Sequence, residues 1–189
     1  MSDSDPWLIA TLETFDSYRR MVDAAVAQLS DEELARRPAD DINSVAVILR
    51  HLGGNLQSRW TDFLTADGEK PTRDRDAEFE DWTSDRASLL SFFDSGWQIM
   101  RASLAALSAD DLTKQITIRG EPHTVQLAIQ RSLTHTAYHV GQIMLVSRLV
   151  HSGDWKWLTI PPGGSAQHNQ TTWGTSASRG VVARTPDSA

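Results

Sequence analysis

His135 and His139 stand four positions apart in the run His135-Thr136-Ala137-Tyr138-His139. On a helix this spacing puts both imidazoles on one face, with Cβ atoms about 5–6 Å apart, where both can reach one ion at about 2.0–2.1 Å. No acid follows His135, so this is not the HExxH arrangement of metalloproteases. Taken alone, the pair is more often simply what a polar helix face carries by chance. His51 adds a third candidate ligand, in Arg50-His51-Leu52-Gly53-Gly54-Asn55 beside an apolar stripe. An unpaired imidazole there would be costly, and in isolation a core histidine bonded to a backbone carbonyl is the simpler reading. Gly53 and Gly54 are expected to let the last long helix approach, as ion coordination between helices requires.

Other residues fall near these three. Arg131 lies one turn before His135 and Gln142 one turn after His139, while Asn55 sits one turn after His51. Arg131 has the planar fork that grips a carboxylate or another anionic group, although an ordinary surface arginine is as good a reading. Asn55 and Gln142 are candidates for orienting imidazoles or contacting substrate, or else are packing polars. His123, in a turn, is expected to be exposed, and His151 and His168 fall outside the periodic segments and receive no role. Trp60 and Trp97 read as core residues and not as a ligand cage.

These side chains need helices to hold them. Apolar residues recur every three to four positions from about Pro6 to Leu29, Ser44 to Leu64, Thr83 to Leu107 and Val125 to Val150, which predicts four long helices. Asp5 is the expected cap of the first, with Pro6 in its first turn. Ser30-Asp31-Glu32-Glu33 starts a short helical turn that Pro38 ends, and Ser108-Ala109-Asp110-Asp111 echoes it. Thr65 to Asp81 reads as a surface loop, and Gln115 to Thr124 as a short hairpin with Gly120 and Pro122 at its bend. The expected fold class is all-α, with that hairpin before the last long helix and an irregular C-terminal tail. One domain is expected over residues 1–160. The tail, 161–189, is expected to pack as far as Asn169 and to be disordered beyond it.

Composition narrows the function. Twenty-five acids against 18 bases give a net charge of −7, which repels nucleic acid and anionic membrane. No run of 18 apolar residues occurs, and the acidic start MSDSDPW lacks the basic residues of an export signal. Neither a nucleic-acid nor a membrane partner is therefore expected, and a cytoplasmic location is. The chain has no cysteine, which removes disulfides, iron–sulfur clusters, cysteine zinc sites and a cysteine nucleophile. Thiol chemistry would need a small-molecule thiol from outside.

The segments SVAVILRHLGGN (44–55), IRGEPHTV (118–125), RSLTHTAYHVGQI (131–143) and WLTIPPGGSAQHN (157–169) together resemble the DinB/YfiT-like superfamily of metal-dependent proteins. The resemblance extends to Asn169. It implies an antiparallel four-helix bundle, often dimeric, holding zinc or nickel through three histidines, here His51, His135 and His139. Three protein ligands leave an open position, the mark of a reactive and not a structural site. The leading expectation is a metal-dependent enzyme that activates water or a low-molecular-weight thiol against a small-molecule substrate, as a hydrolase or thiol transferase. No carboxylate stands at a spacing that announces a general base, which favours the thiol. The alternative is a non-catalytic dimeric protein that binds metal or a metabolite. A homodimer is expected, with Trp155 to Asn169 packed at the mouth of a metal cavity, its own or its partner's.

Overall fold

A computed structural model describes residues 5–172. Its long helices are α1 (Pro6–Val26), α3 (Val45–Trp60), α4 (Arg86–Ala105) and α5 (Val125–Val150). Two short helices, α2 (Asp31–Ala35) and α6 (Ser165–Thr172), and one antiparallel pair, β1 (Gln115–Ile118) and β2 (Glu121–Thr124), complete the regular elements among the described residues. The fold is thus mostly helical with a small two-stranded sheet, which corrects the stricter all-α expectation. No described helix is long and apolar enough to cross a membrane.

Each of helices α1 to α5 starts on a side-chain oxygen that accepts from its free N–H groups. The Asp5 carboxylate accepts from the N–H groups of Trp7 and Leu8, and the Ser44, Asp85 and Thr124 side chains cap α3, α4 and α5. Ser30 and Glu33 form a reciprocal capping box at α2, and Ser108 and Asp111 form one at the turn before β1. Helix α3 ends earlier than Leu64 because the chain turns out at Thr61 and Asp62, the latter with φ of 50°.

The hairpin also differs in detail from expectation. Pro122 lies within β2, and the bend is Arg119-Gly120, both at positive φ (57° and 75°). Two successive left-handed residues match the twist of a two-residue hairpin turn. Pro122 is tolerated because each strand of a two-stranded sheet is an edge.

α3 packs against α4 and α5, while α1 packs against α5 and α4. Phe15, Leu49, Leu52, Leu56, Trp60, Phe93, Trp97, Met100, Ile129 and Ile143 are buried at their centre. Trp60 and Trp97 are core residues, as expected, and both meet Phe15 edge-on. The glycines of α3 act differently from expectation. A Cβ on Gly53 would stand 2.9 Å from the Phe92 ring, and one on Gly96 would stand 2.5 Å from the Gly53 carbonyl oxygen. Gly53 therefore admits α4, not α5.

The segment from Thr65 to Asp81 is no loose loop. The Asp67 carboxylate accepts from the N–H groups of Arg119 and Gly120 at 2.8 Å each, and Gly68 N–H donates to Thr117 O at 2.8 Å. These bonds tie it to the hairpin. A 3-10 turn at Ala77–Phe79 then brings Glu78 into the interior.

The first part of the expected tail packs on this chain near the end of α1. Trp155 and Leu158 pack on the core, and Lys156 exchanges hydrogen bonds with Gln28 near the end of α1. Residues 165–172 are helical and not irregular, and the positions expected to be disordered beyond Thr172 lie outside the described residues.

Candidate metal centre

α3 and α5 bring His51, His135 and His139 together, with one ring nitrogen of each within 4.8 Å of the others. The converging atoms are the Nε2 nitrogens. His135 Nε2 lies 3.2 Å from His51 Nε2 and 3.2 Å from His139 Nε2. Two tetrahedral ligands at about 2.0–2.1 Å from one ion stand about 3.3 Å apart, so the spacing fits a shared ion. His51 and His139 are buried and His135 is half-buried.

The far sides of two rings set their tautomers. His51 Nδ1–H donates to Glu78 Oε2 at 2.9 Å, and His139 Nδ1–H donates to Gln142 Oε1 at 2.7 Å. A neutral imidazole whose proton sits on Nδ1 carries its lone pair on Nε2. Both rings therefore present acceptors to the point where His135 Nε2 also lies. His135 Nδ1 is buried and has no hydrogen-bond partner among the described residues.

Both second contacts are themselves held. Arg73 grips Glu78 with Nε–Oε1 and Nη2–Oε2 contacts of 2.8 Å each, a bidentate ion pair with both side chains almost fully buried. Burial pushes the Glu78 carboxyl up, but hydrogen bonds from His51 and Arg73 outweigh it and hold the group below its ordinary value. Gln142 Nε2 donates to the Tyr138 hydroxyl at 3.0 Å, which orients its carbonyl oxygen toward His139. Gly54 completes the arrangement, since a Cβ there would lie 2.2 Å from Glu78 Oε1.

Burial, followed by repulsion from the neighbouring histidines, depresses His135 to about 3 and His139 to about 4. Desolvation disfavours the charged form of an imidazole. These rings therefore stay neutral, and able to ligate, well below the ordinary histidine range.

A cavity of about 220 Å³ opens on His51 and His135. Asn55, Arg131 and Ser132 line it, so two of the residues singled out from sequence border the site. Asn55 makes no hydrogen bond to the histidines among the described residues; Gln142 and Glu78 orient them instead. His123 departs from its expected exposure. It is buried, its Nδ1–H donates to Glu121 O at 2.9 Å, and its Nε2 accepts from Arg131 Nη1. His151 lies away from the site beside Glu33, at 3.4 Å.

Glu78 and Arg73 are the site residues that sequence reasoning missed. Metal-bound histidines usually donate their second N–H to a carboxylate or carbonyl, which requires such a partner for His51. Asp74, Asp76, Glu78, Glu80 and Asp81 all qualify by type, and only the fold of the segment selects one.

With this geometry stand the comparisons. The model of the family described as "Protein of unknown function (DUF1572)" matches residues 2–164, and the chain belongs to that family. The crystal structure of the conserved protein of locus from Enterococcus faecalis is similar in fold. Its TM-score is 0.59 at 20% identity, over 74% of this chain and 94% of that one. No functionally curated protein matches.

Proposed function

We propose that this protein is a metal-dependent enzyme of the DinB/YfiT-like kind, a four-helix bundle that binds zinc or nickel through His51, His135 and His139. The observation that carries the reading is the convergence of three Nε2 atoms, two of them fixed as lone-pair donors by Glu78 and Gln142. Imidazole ligands suit either metal.

A divalent ion so held supplies Lewis acidity that makes water or a thiol nucleophilic at neutral pH. The chain's own residues do the rest. Glu78 and Gln142 keep His51 and His139 in the ligating tautomer, and Arg73 offsets the buried carboxylate. The cavity beside His51 and His135 admits the small-molecule substrate, with Arg131 at its edge. Among the described residues no Asp or Glu lines that cavity, and Glu78 is fully engaged by His51 and Arg73. A water route would normally draw on such a group as general base, so its absence supports a low-molecular-weight thiol as the nucleophile. The working form is proposed to be a cytoplasmic homodimer.

The test is elemental analysis of His51→Ala, His135→Ala and His139→Ala beside His123→Ala and His151→Ala, with thiol-transfer activity followed on a panel of electrophiles. The first three should lose metal and turnover together while keeping their far-UV helical bands, since the ligands are not the core. Equal metal retention in all five would refute the assignment.

A further inference from the structure

The cavity beside the histidines carries a charge opposite to that of the whole chain. Arg59, Arg73, Arg75, Arg119 and Arg131 all line it, on a protein whose net charge is −7. Two carboxylates answer them from behind. Glu69 meets Arg59 at 3.0 Å, Arg119 at 3.1 Å and Arg73 at 3.4 Å, and Glu78 takes the rest of Arg73. Five guanidinium groups against two carboxylates leave a surplus of three positive charges. Arg75 and Arg131, both exposed at the opening, have no acidic partner within 4.0 Å among the described residues.

Arg131 is aimed as well as unpaired. His123 donates from Nδ1 to a backbone carbonyl, which leaves Nε2 to accept one N–H of Arg131. A guanidinium has five donors, so the others stay available. Arg75 rests on the Phe79 ring, its guanidinium carbon 5.0 Å from the centroid, a contact that fixes the group without neutralising it.

We propose that this cavity binds a compact anion, a carboxylate or phosphate group of the substrate or co-substrate, through Arg75 and Arg131. This rests on the metal reading only for where the reactive end lies, since His51 and His135 line the same space. At about 220 Å³ the cavity has room for a group the size of a phosphate or carboxylate. The local positive potential would draw such anions in despite the overall negative charge.

The test titrates inorganic phosphate and succinate separately into the purified full-length protein at low ionic strength by calorimetry, with metal content measured on the same sample. At least one should bind saturably and more tightly than chloride. Arg75→Gln and Arg131→Gln should each weaken it tenfold or more with metal content unchanged. Arg131→Lys, which keeps charge but loses the fork, should fall between. Arg148→Gln, on the far part of α5 over Trp157, should bind as wild type does. Tighter binding of phosphate would point to a phosphate ester, and of succinate to a carboxylate. Binding no tighter than chloride, or binding unaffected by both arginine substitutions, would overturn the proposal. Anion binding through the two arginines in protein that takes up no zinc or nickel even when either is supplied in excess would refute the metal reading alone and leave this proposal standing.

Discussion

At the scale of single residues, the site depends on where protons sit. His51 can offer its Nε2 lone pair only while its proton stays on Nδ1, and Glu78 keeps it there at 2.9 Å. Glu78→Gln preserves size but places an amide where a carboxylate now meets both His51 and Arg73, so one of those donors loses its acceptor. Partners of this kind are worth about 10–100-fold in metal affinity. The variant should therefore bind zinc about 10–100-fold more weakly in a competition with a chromophoric chelator while folding normally; unchanged affinity would remove Glu78 from the site. Of the three histidines, His135 and His139 were legible from spacing, because positions i and i+4 share one helix face; His51 joined them through its place beside an apolar stripe and through the family resemblance, not through spacing. Glu78 was not legible, because it reaches His51 through a loop whose path is set by Asp67 bonding to the hairpin bend. That is a tertiary contact with no local signature.

At the scale of elements, periodicity located the four long helices, and for α5 it reached both ends, Val125 and Val150. It said less about which helix meets which. Gly53 looked like a door for α5, yet it touches α4 through Gly96, a residue whose role shows only once the helices are packed. In Gly96→Ala the new Cβ would fall 2.5 Å from a backbone oxygen that cannot rotate away. Forcing the helices apart should cost about 1–3 kcal/mol, read as a melting temperature several degrees lower; an unchanged melt would show that α3 and α4 can part freely. A second test concerns the junction of α2 with the chain after α5. The Glu33 carboxylate accepts from Ser30 N–H at 2.9 Å and from the N–H and hydroxyl of Ser152 at 2.7 Å each. These bonds, the Ser30 one foremost, depress it to about 2 from an ordinary 4.5. A depressed carboxyl stabilises the fold above its unfolded value and loses that contribution as pH falls from about 4.5 toward 2. Glu33→Gln should therefore be less stable than wild type at pH 7, with the difference shrinking by pH 3 in urea unfolding. A difference that does not shrink would mean the carboxylate charge is not what matters there.

For the whole molecule, the division is between an apolar core and a polar cluster at the α3–α5 contact that could hold an ion. Phe15, Trp60, Trp97 and their neighbours form one buried apolar cluster. The histidines, by contrast, gather three mutually facing nitrogens in an interior where an unpaired imidazole is a liability. The most direct test is anomalous scattering at metal absorption edges from crystals of protein purified without chelators. The account predicts a single strong peak within about 2.0–2.1 Å of Nε2 of His51, His135 and His139, at the edge of zinc or nickel. Crystals from metal-supplemented protein with no anomalous peak among these three nitrogens, or with the ion held elsewhere, would contradict it.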